Sequence, residues 1–266
     1  MSTPATRGRS VARAALGIYA ACALLAAFGL GDVRGAAGAE HLAPQTGSWL
    51  GTDQLGRDVA QLTLHGSAAA FLIGGLAAGG ATLLGVLLGM GAGWRAGWLD
   101  RAILWLSAVV SAIPGILLIL VIAAAMGPGL PALVVAIAAV SWVGVYRLVR
   151  AETRRLRNEE FVQTALASGA APSWVLLRHL SPHFLPVVLV QFGLGFVGAI
   201  QAEAVLSFLG LGAPDLPTWG RMIAEAWTWD DLGHGRWWRL TAASLALAGL
   251  AVSVLTLSRS DERRRA

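Results

Sequence analysis

Residues 102–146 read AILWLSAVVSAIPGILLILVIAAAMGPGLPALVVAIAAVSWVGVY, 45 consecutive positions without one charged side chain. As a single helix this run would extend roughly 68 Å at about 1.5 Å per residue, more than twice the roughly 30 Å hydrocarbon thickness of a bilayer. It must therefore turn. Gly127-Pro128-Gly129-Leu130-Pro131 supplies the break, because proline cannot continue a helical hydrogen-bond ladder and glycine tolerates reversed backbone. The run predicts two membrane crossings, near 102–126 and 130–148, with Pro114 kinking the first of them.

Working outward, residues 14–31 form an apolar stretch between Arg13 and Asp32, and residues 66–94 hold another that is rich in glycine and alanine. Small residues of that kind let helices approach closely in lipid. Arg7, Arg9 and Arg13 precede the first stretch and Gly35-Ala36-Ala37-Gly38-Ala39 follows it, as in a cleaved signal peptide, but its length favours a retained span. A fifth span is expected at about 186–211, with Glu203 inside it, and a sixth at 240–258. The expected fold is an all-α polytopic membrane protein of six transmembrane helices, with no separate soluble domain.

Composition agrees. Of the 266 residues 56% are hydrophobic and 13% charged, with a mean hydropathy of +0.65, which excludes an ordinary water-soluble globule. All 20 basic residues are arginine, so a Walker A lysine, a Schiff-base lysine and a pyridoxal-phosphate anchor are excluded. Cys22 is alone, which excludes Cys-x-x-Cys metal clusters and internal disulfides. The net charge of +5 does not point to nucleic acid, because the arginines flank the apolar runs; the partner they imply is the lipid bilayer. Fifteen arginines fall in the segments placed inside, among them Arg95, Arg101, Arg147, Arg150, Arg154, Arg155, Arg157 and Arg178. Only Arg34, Arg57, Arg221, Arg236 and Arg239 fall outside, in loops shared with acids, so both termini are expected to be cytoplasmic.

The longest inner segment, 149–185, has a pattern of its own. Residues 159–169 read as a short amphipathic helix stopped by Gly169, and Pro172 suits the first turn of a second helix carrying Trp174, Leu176, Leu177 and Leu180 towards Pro182 and Pro186. Helix, turn and helix are expected to lie at the membrane surface. So short a helix is not stable alone in water, which implies a cytoplasmic partner over its apolar side.

This segment resembles the EAA loop of the transmembrane subunits of bacterial ABC importers. Gln163, Thr164 and Ala165 take the three opening places, Gly169 the glycine, and His179, Ser181 and Pro182 the closing places; Ala165, Gly169 and Pro182 match strictly. Gly51-Thr52-Asp53-Gln54-Leu55-Gly56-Arg57-Asp58 is similar to the Gly-Thr-Asp-x-x-Gly-Arg-Asp signature of the dipeptide, oligopeptide and nickel permeases within that group. Residues 203–212 and 217–222 resemble the end of the fifth span in the same permeases. The C-terminus departs from them, ending in a short arginine-rich tail where they carry Gly-Asp-x-x-Arg-Asp.

The resemblance implies a type I ABC importer transmembrane domain at 66–258, with the coupling loop at about 149–185. Residues 1–65 would hold the first span and the external signature, and 259–266 a cytoplasmic tail. It further implies a second homologous permease subunit, two ATP-binding subunits, an extracytoplasmic substrate-binding protein and a place in the bacterial inner membrane. No cofactor is implied on this chain, ATP and Mg belonging to the ATPase partners, and the chain is not itself an enzyme. Coupling falls to Glu160, Phe161, Gln163, Thr164, Ala165, Leu166, Gly169 and Pro182. Peptides are the expected substrates, with nickel or another small chelate as the alternative and opines or glutathione-like compounds behind them.

Other readings compete at individual residues. Asp53, Arg57 and Asp58 suit either bracing of the external loop, which requires partial burial, or contact with the binding protein. Glu203, with Ser207 one turn on, suits the pathway or an inter-helix contact, since an acid within the bilayer must face protein or water. His179 and His183 have the i, i+4 spacing of metal ligands without a third ligand in pattern, and no metal site is expected. Asp230, Asp231 and His234 stand beside Trp227, Trp229, Trp237 and Trp238, residues more in keeping with a membrane interface than a metal or sugar patch. An intramembrane enzyme would have Ser107, Ser111, Ser141 or Ser207 as nucleophile, but no histidine lies in a proposed span. A channel or carrier working without ATP would transport alone.

Overall fold

The computed structural model describes residues 4–28 and 39–262, with side chains from 10 to 258. The small-residue run at 35–38, Arg34 and Arg263 to Arg265 lie outside them, as does the end of the first apolar stretch. The described residues are mostly helical and contain no strand. Ten α-helices follow in order: α1 Pro4–Ala27, α2 Val59–Trp94, α3 Trp98–Ala112, α4 Gly115–Met126, α5 Leu130–Arg157, α6 Glu160–Ala167, α7 Pro172–Val175, α8 Ser181–Phe208, α9 Trp219–Thr228 and α10 Trp238–Glu262. A π-helical turn, Leu176–Leu180, joins α7 to α8 without a break.

Five helical segments are long and apolar enough to cross a membrane, and the bent pair α3–α4 makes a sixth if counted as one span. That pair departs from expectation. Pro114 does not kink a continuous helix; the two arms meet at 95°. The cause is local: proline forces its predecessor out of the helical region, and both Ile113 (φ −98°, ψ 136°) and Pro114 (φ −52°, ψ 122°) are extended, giving a corner two residues wide. At about 22 Å and 18 Å the separate arms are each shorter than the hydrocarbon core. The turn at 127–129 lies where the glycines and proline predict it, with Gly127 at φ +82° and Gly129 at φ +145°.

α2 begins at Val59 rather than near 66, so His65 lies on a span, half-buried, contrary to the expectation that no histidine would. Its central partner is α5. Gly85, Gly89 and Gly93, four residues apart, stand against Val145, Val149 and Thr153 at the same spacing. A Cβ on those glycines would lie 2.6, 2.8 and 2.7 Å from the Cβ atoms opposite, so only glycine permits the approach. α8 also packs on α2, with Phe196 and Ile200 over Gly74, while α1 lies against α2 and α10, with the Tyr19 hydroxyl donating to the Ala246 carbonyl at 3.0 Å.

α9 is a helix that the sequence reading leaves in a loop. Thr218 caps it, accepting from the Arg221 amide at 3.1 Å, and Trp219, Met222 and Ala226 form its buried side. The Trp219 indole crosses to α2, donating to the Thr63 carbonyl at 2.9 Å and packing over Gly66.

Candidate functional site

At one end of the bundle α5 runs through Asn158 into α6. Val162 is fully buried and Ala165 and Leu166 are half-buried, against Leu156 of α5, Val175 of α7, Leu180, and Phe184 and Val188 of α8. Gly169, at φ +87°, ends the helix: its amide donates to Leu166 at 3.0 Å and the Ala170 amide to Ala165 at 3.0 Å, the reciprocal pair of a glycine-terminated helix. Glu160, Phe161, Gln163, Thr164 and Ala167 are exposed. The Gln163 amide nitrogen donates back to the Arg157 carbonyl at 2.8 Å, tying the helix to the end of α5. The opposite face of α6 is therefore filled by the chain itself, and the outward face is a ridge with Phe161 41% exposed and Trp174 51% exposed beside it.

His179 and His183 are accounted for by that ridge. The His183 ring stacks on Phe161 at 5.5 Å, and the His179 ring meets Trp174 edge-on at 4.7 Å. Among the described residues no three metal-ligating side chains gather. Pro182 sits exposed in the first turn of α8, directly after the π turn. It cannot donate to the carbonyl four residues back, and the widened turn before it accommodates the missing bond, so the second helix is one continuous rod from Pro172 to Phe208 rather than a separate surface helix.

At the other end lies the segment 51–58. Gly51 (φ +70°) and Gly56 (φ +71°) hold backbone that side chains disfavour, and a Cβ on Gly51 would meet the Leu42 carbonyl. The Thr52 hydroxyl donates to Ala39 and accepts from the Leu42 amide, both at 2.8 Å. Asp53 is buried; one carboxylate oxygen accepts from the amides of Leu55 and Arg57 and the other pairs with the Arg57 guanidinium at 2.6 Å. Asp58 caps α2, accepting from Ala60 at 2.7 Å.

From this loop an ionic chain reaches α9 and α10. Arg57 pairs with Glu225 at 3.3 Å, and the Gln54 amide donates to the same carboxylate at 3.1 Å. Arg239, only 1% exposed, donates to Gln54 and pairs with Asp231 at 2.7 Å. The Trp238 indole donates to the Thr52 carbonyl at 3.1 Å, so this tryptophan is buried in the loop, whereas Trp227, Trp229 and Trp237 are exposed. His41 lies in the same loop, and its own burial, then the nearby Arg236, hold its imidazole below the ordinary histidine range. Gln54, Glu225 and Arg239 escape a search for motifs, because they act only through partners distant in sequence.

Glu203 is buried in α8 and accepts from the Ser207 hydroxyl at 2.6 Å, with Thr218 beyond it. A further acid, Asp100, belongs to no sequence motif. It is buried at the start of α3 and is held by Arg150 and Arg154 of α5. The signal available was a lone acid between two spans, next to an arginine-rich segment.

Residues 85–264 match the family model for binding-protein-dependent transport system inner membrane components. The chain is 35% identical over 220 residues to the dipeptide transport system permease protein DppC of Bacillus subtilis, covering 81% of this chain and 68% of that one. It is 38% identical over 184 residues to the glutathione transport system permease protein GsiD of Pectobacterium atrosepticum, covering 69% of this chain and 61% of that protein. To the oligopeptide transport system permease protein OppC of Bacillus subtilis it is 33% identical over 183 residues, covering 68% of this chain and 60% of that one. The chain thus spans roughly three-fifths to two-thirds of the length of these relatives. With its fold and these matches, the chain belongs to the family of binding-protein-dependent transport system inner membrane components, the permease subunits of ABC importers.

Proposed function

We propose that this permease forms half of an ATP-driven pathway for small peptides, with a second permease, two ATP-binding subunits and an external substrate-binding protein as partners. The names of the relatives, which concern dipeptides, oligopeptides and glutathione, favour a peptide over nickel or another chelate. The observation that carries the coupling role is the ridge of α6: its inner face is satisfied by Val162, while Glu160, Phe161, Gln163, Thr164 and Ala167 face outward. A partner groove on an ATPase would cover them, with Ala165, Leu166, Gly169 and Pro182 fixing the shape of the loop. The ridge then lies on the cytoplasmic side, as do both termini, and the network around Asp53 and Arg57 faces outside.

In this reading nucleotide binding shifts a two-state membrane element through differential contact with α6, and the chain performs no chemistry. Residues 66–258 carry that element, although α2 already starts at Val59. The Asp53–Arg57–Glu225 chain holds the external loop on α9. Glu203 and Ser207 close a contact between the end of α8 and Thr218.

The test is ATP-dependent uptake of trialanine and of glutathione in proteoliposomes containing the full transporter, with and without Gly169→Trp. A Cβ on Gly169 meets nothing of this chain within 4 Å, but at φ +87° any side chain also strains the turn, so Ala167→Trp, on exposed helical backbone, is expected to show the same loss. Loss of uptake at unchanged membrane level is expected. Unchanged uptake overturns the coupling role, and uptake of neither probe by the unsubstituted transporter overturns the peptide assignment.

A further inference from the structure

α3 is attached to the rest of the chain in an unusual way. Of its fifteen residues only Asp100 and Ser107 are buried, and both are polar. Leu99, Trp105, Leu106 and Val109 are 40% exposed or more, while Ile103 and Val110 are half-buried against a small apolar cluster that includes Ala92, Trp142 and Tyr146. Beside that limited apolar contact, α3 is fastened to α5 by polar bonding. The two oxygens of Asp100 receive Arg150 at 2.5 and 2.9 Å, and one of them also receives Arg154 at 2.5 Å. Two turns on, Arg147 donates to the Ser107 carbonyl at 3.1 Å and to the Ser111 hydroxyl at 2.9 Å, just before the 95° corner.

The far side of α5 is different. There the glycines of α2 bring the two backbones into contact over three turns, which makes α2 and α5 a rigid pair. That pair continues through Asn158 into α6 with only a two-residue link. A displacement of α6 is therefore handed to α5 and α2; α3 takes its position from α2 through the short link 95–97 and from α5 through Asp100, the contact that fixes its orientation on α5. The corner at Ile113 and Pro114 is the place where α3 turns against α4, since two extended residues with no helical hydrogen bonds between the arms can absorb a rotation.

We propose that Asp100 is a positioning residue for transport: its bidentate grip on Arg150, reinforced by Arg154, makes α3 follow α5 when α6 is moved, swinging the inner arm of the broken span about Pro114. This rests on the coupling role given to α6. Arginine suits the task because its planar fork fixes orientation as well as distance, and the partial burial of the pair keeps water from replacing it.

The experiment uses the full transporter in proteoliposomes, with trialanine as the transported probe and ATP hydrolysis measured in parallel. Asp100→Asn is expected to keep assembly and hydrolysis while the peptide moved per ATP falls about tenfold, and Asp100→Glu to restore most of it. In a Cys22→Ser background, nitroxides at positions 105 and 135 are expected to keep one separation with and without trapped ATP and vanadate, and to show a broadened one in Asp100→Asn. An unchanged ratio of uptake to hydrolysis, or an α3–α5 separation indifferent to Asp100, overturns the proposal. If Gly169→Trp leaves uptake intact, the coupling role of α6 fails instead, whereas a Gly169 effect without an Asp100 effect removes only this inference.

Discussion

Gly89 of α2 faces Val149 of α5 so closely that a Cβ on the glycine would stand 2.8 Å from the Cβ of the valine and 3.0 Å from the Tyr146 carbonyl. Backbone lies on one side and a β-branched side chain on the other, so neither can yield by rotation alone. Gly89→Leu is expected to separate the two helices and lower stability by about 1–3 kcal/mol, the cost of overpacking a filled interface. Thermal unfolding in detergent measures it. Gly91, two residues on, has nothing within 4 Å of its Cβ position, and Gly91→Ala is expected to leave the unfolding temperature in place.

Arg239, in the first turn of α10, and Asp231, in the loop before it, are both nearly fully buried and pair at 2.7 Å. Removing Arg239 leaves buried Asp231 with only Arg236 at 3.5 Å, and takes from Glu225 a partner at 3.6 Å. Arg239→Met is expected to cost about 3–5 kcal/mol, and Arg239→Met combined with Asp231→Leu distinctly less than the sum of the single changes. A double-mutant cycle on unfolding in detergent reads the difference; additive effects would show that the pair is not coupled.

Glu203 accepts from Ser207 at 2.6 Å, a bond that a glutamine oxygen also accepts. Glu203→Gln is therefore expected to leave peptide uptake within twofold of the unsubstituted transporter. Glu203→Ala strands the Ser207 hydroxyl and opens a space, costing about 1–3 kcal/mol. A large loss of uptake in Glu203→Gln, at unchanged stability, would assign the carboxylate to the pathway instead.

Burial, followed by the charge of Arg236, depresses the His41 imidazole, so the folded loop disfavours the protonated ring. Its contribution to stability is complete above the unfolded value near 6.5 and is lost as pH falls through the lower folded value. His41 lies at φ +54°, a conformation asparagine also tolerates. His41→Asn is expected to flatten the acid limb of the stability profile below about pH 6.5, measured by protection of the 39–58 amides from hydrogen exchange.

What sequence reveals here follows from local rules and from the bilayer. A charge-free run of 45 residues must fold back at its glycines and prolines, whatever surrounds it, and Gly169 must end a helix wherever that helix packs. The same locality explains why α9 was legible but overlooked: Thr218 followed by Trp219, Met222 and Ala226 is a capped amphipathic turn, masked by its neighbouring tryptophans. The sharpness of the break at Pro114 was not legible, because proline in a membrane helix often only bends it, and the outcome depends on what the two arms can rest against.

By itself the sequence determined that the chain is helical and crosses a membrane several times, where the long run turns, and which short helix stands between the fourth and fifth apolar segments. These follow from hydrogen-bond satisfaction in lipid and from the backbone limits of proline and glycine, which act within a few residues. Only the tertiary structure decided that Asp100 meets Arg150 and Arg154, that Arg239 closes a chain from Gln54 to Asp231, and that three glycines of α2 meet α5. Apart from the Arg239–Asp231 pair, eight positions apart, each of those contacts joins residues about 50 or more positions apart, and pairings of that kind are fixed by how whole surfaces fit together.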